Sequence, residues 1–183
     1  MTLLFLALLA GAIGWGVFAF NRLVHLRNQV RTAWADIDVQ LQRRHDLVPQ
    51  LVEITRGYAA HEKTTLETVT ELRNKARAAH GASRQGQVET ALEQALGRLL
   101  ALREAYPELK ANQNFIQLSE ALVTVENHLQ YARRFYNGAV RDYNNTTQRL
   151  PDLILARSSG FADAEFFQAE ADSRAPAVVD LSS

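Results

Sequence analysis

The chain contains no cysteine, only four prolines and nine glycines, and no excess of either charge. The missing cysteines exclude disulfide bonds, thiolate metal sites and a cysteine nucleophile. Few prolines and glycines leave few helix breaks, so long helices are expected. Its twenty basic and twenty acidic side chains cancel. No global field therefore attracts nucleic acid, and we expect no nucleic-acid partner.

The sequence also lacks the familiar catalytic motifs. Glu62 follows His61, but the position four after His61 is Thr65, so the second ligand of a zincin site is missing. No glycine-rich phosphate loop and no G-x-S-x-G elbow occur. Asp36 and Asp38 are two apart on a predicted helix and face different ways, so they could not share a proton. The sequence predicts a protein that is not an enzyme and holds no metal or cofactor.

What the chain does have is one uncharged, almost wholly apolar run at its N-terminus, TLLFLALLAGAIGWGVFAF, from Thr2 to Phe20. As a helix of about 1.5 Å per residue it covers roughly 28 Å, close to the hydrocarbon thickness of a bilayer. A cleaved signal peptide is the alternative, but no Lys or Arg precedes the run, as such a signal requires. Residues 1–21 are therefore predicted to be a transmembrane anchor.

The charges beside the run predict its orientation. Arg22, Arg27 and Arg31 follow the run, with no acid between Asn21 and Ala35. Because Lys and Arg near a span tend to stay in the cytoplasm, we expect the N-terminus outside and the bulk of the chain in the cytoplasm.

Small residues recur four apart within the run, a spacing that permits close contact between helices in lipid. A dimerisation face and the ordinary composition of a membrane span both explain the pattern. The pairs are Ala7 with Gly11, Ala10 with Gly14, and Ala12 with Gly16.

Apolar residues recur at steps of three and four through residues 22–150, which is typical of amphipathic helices. The pattern predicts an all-α fold, an antiparallel four-helix bundle whose first helix continues the anchor as a stalk. The last helix is the clearest and begins at an N-cap, Asn112 or Asn114. The predicted helices are at about 22–44, 47–79, 87–105 and 113–149, with a loop over 80–86.

The segment between the first two predicted helices allows two interpretations. Asp46 is a good N-cap, and Pro49 is tolerated in a first helical turn, so we predict a tight reversal over 44–48. A continuous helix kinked at Pro49 is the alternative.

The periodicity fails from Pro151 onward. The tail, residues 151–183, holds six acids against Arg157 and Arg174. Its composition predicts a mobile, mostly irregular segment.

The most informative polar residues lie between Trp34 and Pro49. Arg43 and Arg44 could bind anionic groups of a protein partner. Alternatively, they could pair with acids on neighbouring helices and fix the predicted turn. The geometry argues against lipid, because a stalk from Phe20 would hold this turn roughly 36 Å from the membrane, far beyond a Debye length of about 8 Å. The candidate residues are Trp34, Asp38, Arg43, Arg44 and Asp46.

Two long strings carry a family resemblance: LVHLRNQVRTAWADIDVQLQRRHDLVPQLVEITRGYAAHEKTTLETVTELRN and ALREAYPELKANQNFIQLSEALVTVENHLQYARRFYNGAVRDYN. They closely resemble the LemA family of bacterial membrane proteins. The resemblance implies a single-pass protein of the bacterial inner membrane with a helical bundle, and it supplies no catalytic residues.

Together these features predict a non-enzymatic, membrane-anchored scaffold or adaptor that recruits a protein partner. A self-assembling, membrane-organising protein is the alternative. A homo-oligomer is compatible with both.

Overall fold

The computed structural model describes residues 1–167, and every regular element in that range is helical. The prediction of an all-α fold is confirmed. A 3₁₀ turn, Leu102–Glu104, follows the third helix. The α-helices are α1 (Thr2–Tyr58), α2 (Lys63–Arg77), α3 (Ala82–Ala101), α4 (Pro107–Ala111), α5 (Gln113–Gln148) and α6 (Asp152–Ser158).

The first helix joins the apolar N-terminal run to the bundle without a break. It has 57 residues, about 86 Å at 1.5 Å per residue. Within the described residues it is the one helix long and apolar enough to cross a membrane. Beyond the apolar run its buried positions recur at helical spacing, from Leu23 through Ile37 to Leu51, so anchor and stalk are one element.

The predicted reversal over 44–48 is wrong, and the alternative of a continuous helix is right, because α1 runs through Pro49. Proline has no amide hydrogen, so the carbonyl of His45, four residues earlier, loses its helical partner. The guanidinium of Arg73 on α2 replaces it, with Nε donating to the His45 oxygen at 2.9 Å. Asp46 therefore lies inside a helix and is not an N-cap.

The chain turns later than predicted, between Tyr58 and Lys63. The segment 47–79, predicted to be one helix, therefore forms the end of α1 and then α2. The predicted loop over 80–86 is shorter than expected. Gly81, with φ of 86°, supplies the left-handed conformation that ends it, and α3 begins at Ala82. The α3 helix also ends earlier than predicted, at Ala101.

In the half of the bundle far from the apolar run, α2 and α3 pack as a hairpin against α1 and α5, which makes four helices around one core. Leu51, Val69, Leu92, Leu99 and Phe115 are fully buried there. The α5 helix has nearly its predicted bounds, and Asn112 caps it as expected, with Oδ1 accepting from the amide of Phe115 at 2.9 Å.

The half of the bundle near the apolar run is built from different elements. There α1 and α5 pair beside only the start of α3, where Ala82 is buried, and the chain after α5 covers them. The prediction of an irregular tail is wrong for 152–158, which form α6. Residues 161–167, which we call the strap, are irregular as predicted for the tail, and Phe161 and Phe167 are buried against the helix pair. The rest of the predicted tail, 168–183, lies outside the described residues.

Candidate functional site

The structure separates the residues that the sequence placed in one candidate site. Arg44 is fully buried, whereas Arg43, next to it, is exposed. Asp46 is exposed and accepts a hydrogen bond from Gln42 at 2.8 Å. Asp38 is exposed too, while Trp34 packs in the core under the strap. The five residues do not converge, and no turn exists there for them to fix.

Arg44 lies at the centre of a buried charge cluster that joins α1, α3 and α5. Its Nη1 donates to Glu89 Oε2 at 3.1 Å, and its Nη2 contacts a carboxylate oxygen of Glu126. The other Glu89 oxygen contacts His45 Nε2 at 2.8 Å and accepts from Gln85 at 3.0 Å. Of the two roles predicted for the arginines, Arg44 fits the pairing with acids of neighbouring helices.

The cluster keeps its charges although it lies in the interior. Burial lowers the pKa of Arg44, with the nearby carboxylate of Glu89 opposing the shift; an arginine nonetheless stays protonated in proteins. Burial alone would raise the pKa of Glu89, but the hydrogen bond from His45 and the charge of Arg44 outweigh it and hold the pKa below its ordinary value. Breaking such a pair leaves an uncompensated buried charge, so the cluster fixes how α3 sits on α1 and α5.

Four side chains of α5, which we call the ladder, hydrogen-bond the backbone of the strap: Tyr136, Asn137, Tyr143 and Asn144. Asn144 donates to the carbonyl of Ala164 and accepts from its amide, both at 2.9 Å. Asn137 makes the same pair of bonds to Phe167, at 3.0 and 2.9 Å. The hydroxyls of Tyr136 and Tyr143 donate to strap carbonyls at 2.8 and 2.9 Å.

The spacing of the ladder matches an extended chain. Seven residues of helix rise about 10.5 Å, and three residues of extended chain cover about 10 Å. The Tyr-Asn pair at 136–137 recurs at 143–144, while the bound strap residues, Ala164 and Phe167, are three apart. The repeated Tyr-Asn pair was the one signal in the sequence that could have revealed this site.

Aromatic rings close the strap over the helix pair. Trp34 meets Tyr136 edge to face, with ring centroids 5.3 Å apart, and Phe167 lies 6.2 Å from the same indole. The guanidinium of Arg133 lies 5.1 Å from the centroid of the Phe167 ring. Trp34 therefore packs, partly buried, against the core of the near half.

The opposite side of the α1/α5 pair is open. Phe135 and Asn137 differ by about 160° around α5, so the ladder and the open side lie back to back. Two grooves run between α1 and α5 there, of about 810 and 370 Å³. Three apolar side chains are exposed beside the smaller groove: Val39 at 51%, Tyr131 at 67% and Phe135 at 60%. We call this side the open face.

In the anchor, the small residues divide between two sides of the helix. At about 100° per residue, Ala7, Gly11 and Gly14 share one side with Ala10 at its edge, and Ala12 and Gly16 lie on another. A Cβ atom added to Gly11, Gly14 or Gly16 would meet no atom of this chain within 4 Å. Nothing within the described residues therefore requires glycine at these positions.

Within residues 1–167, no group of three or more His, Asp or Glu side chains is placed to hold a metal ion. Within the buried cluster most donors and acceptors bond to one another, while Arg44 Nε and Glu126 Oε1 have no hydrogen-bond partner within the described residues. What the arrangement can do is bind: the ladder holds an extended chain, and the open face offers apolar grooves.

Several known proteins are similar in sequence to this chain. Protein LemA of Metamycoplasma hominis is 23% identical, over 84% of this chain and 74% of that protein. Magnetosome protein MamQ 2 of Paramagnetospirillum magneticum is 26% identical, over 81% of this chain and 64% of that protein. MamQ of Magnetospirillum gryphiswaldense is 24% identical with the same coverage.

The chain spans less than two thirds of the length of these MamQ proteins. Together with the apolar helix, the relatives support a membrane-associated protein. The LemA family model matches residues 33–180, most of the bundle and the segment after it. The chain belongs to the LemA family.

Proposed function

We propose that this protein is a non-enzymatic, membrane-anchored scaffold whose open face binds a protein partner beside the membrane. The observation that carries the proposal is α1 itself. One uninterrupted helix passes from the apolar run to Tyr58 and forms one wall of both grooves on the open face. A surface on a continuous helix is held at a set height above the bilayer.

The exposed apolar residues support binding to protein. Val39, Tyr131 and Phe135 lie together on one two-helix surface, and contiguous exposed apolar surface marks interaction sites. Aromatic side chains such as Tyr131 and Phe135 are enriched in protein interfaces. The proposed orientation, with the bundle in the cytoplasm of a bacterial inner membrane, rests on the three arginines at positions 22, 27 and 31 beside the span.

Site-specific photo-crosslinking in cells tests this function. A photoreactive phenylalanine analogue at Phe135 of the full-length chain is expected to give discrete adducts. Val123 is the matched control, since it is 54% exposed on the same helix but lies about 120° away from Phe135. If position 135 gives no adduct beyond those at 123, the open face binds no protein and the proposal fails.

The second candidate is a self-assembling protein that organises membrane. The reason to consider it is that two relatives are named magnetosome proteins. It predicts open-ended assemblies, which single-molecule photobleaching of the labelled chain in native membrane vesicles would count as a wide distribution of subunit numbers. A narrow distribution at one or two subunits contradicts it.

A further inference from the structure

We infer that the partner of the open face is a second copy of this chain, bound side by side in the same membrane as a closed, parallel dimer. The inference rests on the proposed scaffold function and names its partner. It joins two features that the single chain leaves unexplained, the exposed apolar grooves and the glycines of the anchor.

Both features point in the same direction around α1. An α-helix turns about 100° per residue, so Gly14 and Val39 differ by about 20°, and so do Gly11 and Gln40. Val39 and Gln40 line the smaller groove. Because α1 is continuous between these positions, one neighbour that contacts the glycines would also meet the open face.

The glycines fit a close neighbour in the membrane. No atom of the described chain lies in the space beside these glycines, since a Cβ at Gly11 or Gly14 would meet no atom within 4 Å. In lipid, small residues four apart let a second helix approach closely. Ala7 and Gly11 have that spacing on the side that faces the same way as the groove.

The membrane restricts the symmetry of such a pair. Two copies anchored in one bilayer share an orientation, so a two-fold axis along the membrane normal brings the same surface of each copy together, which is the isologous arrangement of most dimers. Two α1/α5 pairs meeting face to face then form a bundle in which α1 of each copy lies beside α5 of the other.

The charge of the open face agrees with this arrangement. Among the residues that line the two grooves, the titratable side chains other than Tyr131 are Asp36, Glu53 and His128. Arg43, exposed and four residues after Val39, lies on the same side of α1 and adds a positive charge beside the smaller groove. Asp36 is on α1 and His128 on α5 in the same groove, so the two-fold axis places the Asp36 carboxylate opposite the helix that carries His128 of the second copy.

The extent of the surface comes close to that of a stable interface. The two grooves are lined by eight and seven residues, and the anchor adds Ala7, Ala10, Gly11 and Gly14. This total approaches the roughly 20–30 residues that each partner contributes to a stable interface of standard size.

The absence of cysteine makes a direct test possible. Single cysteines are introduced into the full-length chain in native membrane vesicles, at Val39 and at Gly11. Each has a control on the same helix, since Asp38 lies about 100° from Val39 and Leu9 about 160° from Gly11. A short bis-maleimide is used for the bundle positions and copper-catalysed disulfide formation for the anchor.

We expect Val39→Cys and Gly11→Cys to form covalent dimers several-fold more efficiently than Asp38→Cys and Leu9→Cys. The double variant Phe135→Asp/Val39→Cys should lose this dimer, and Val123→Asp/Val39→Cys should keep it. Crosslinking at Gly11 alone, or equal crosslinking at all four positions, would each overturn the closed dimer, and so would photobleaching counts above two subunits.

This test separates the inference from the function on which it rests. If Val39→Cys forms no dimer while the photoreactive group at Phe135 still captures another protein, the second copy is the wrong partner and the scaffold function stands. If neither probe captures anything, both proposals fail.

Discussion

The side-chain amide of Asn137 bonds both backbone groups of Phe167, donating to its carbonyl at 3.0 Å and accepting from its N–H at 2.9 Å. Asn144 does the same for Ala164 one heptad away. The ladder therefore binds the main chain of the strap. The Phe167 ring makes separate contacts, with Trp34 and Arg133. The strap thus covers the half of the bundle to which α3 contributes only its first residue, Ala82.

Asn137→Ala should loosen the strap without unfolding the bundle. It removes two hydrogen bonds worth roughly 1 kcal/mol each, so the strap should open about 2 kcal/mol more easily. Hydrogen exchange of the Phe167 amide should then be about 30-fold faster, since each 1.4 kcal/mol is a factor of ten. Asn145→Ala is the control, because Asn145 is exposed on α5. Equal exchange rates in the two variants would contradict the ladder.

Removing the strap should expose Trp34. The chain has two tryptophans, so Trp15→Phe leaves Trp34 as the single fluorophore. Ending this variant after Gly160 uncovers the indole that Tyr136 and Phe167 now enclose, and its emission should shift to longer wavelength. Ending the chain after Phe167 is the control and should leave the emission unchanged. A red shift of the same size in both truncations would mean that the strap does not shield Trp34.

The sequence predicted the architecture where the information was local, and it failed where the deciding contact came from elsewhere in the chain. The steps of three and four in α5 and the Asn112 cap depend on neighbouring residues, so their prediction was accurate. The reversal at Pro49 was wrong because the missing amide is compensated by Arg73, on another helix. No pattern among neighbouring residues indicates a donor that lies on another helix.

The same reason explains the residues that the sequence did not identify. Arg44 and His45 have the pattern of a polar helix end, and only Glu89 from α3 makes them a buried cluster. The open face could not be predicted either. Val39 and Phe135 lie outside the apolar stripes of α1 and α5, and only the folded chain brings them together beside one groove.

The buried cluster should be the most sensitive polar site in the bundle. Glu89→Ala leaves Arg44 buried beside only one of its two carboxylate partners, and breaking a buried pair costs about 3–5 kcal/mol. Thermal unfolding of the full chain in mild detergent measures the loss. Glu71→Ala is the control, because Glu71 and its partner Lys75 are both exposed and an exposed pair contributes little to stability. Similar losses in the two variants would show that the cluster does not fix α3.

The stability of the bundle should depend on pH through Glu89. Its pKa is lower in the folded chain than the ordinary value of 4.5, so on acidification the unfolded chain binds this proton first. The stabilisation is fully present above about pH 4.5 and declines as the pH falls through the folded pKa. The unfolding temperature of the native chain should fall in this window, and that of Glu89→Gln should fall less steeply. Identical slopes would contradict the assignment.

The contact between Arg73 and the carbonyl four residues before Pro49 should be energetically coupled to the proline. In the native chain Arg73→Ala removes the donor to His45 and leaves a backbone oxygen without a partner, which should cost about 1.5–3 kcal/mol for a bond from a charged group. In a Pro49→Ala background the amide of residue 49 can make the regular helical bond to the same oxygen, so Arg73→Ala should cost much less. A double-mutant cycle on unfolding free energies isolates this coupling. Additive losses would mean that the proline is tolerated for a reason other than the guanidinium of Arg73.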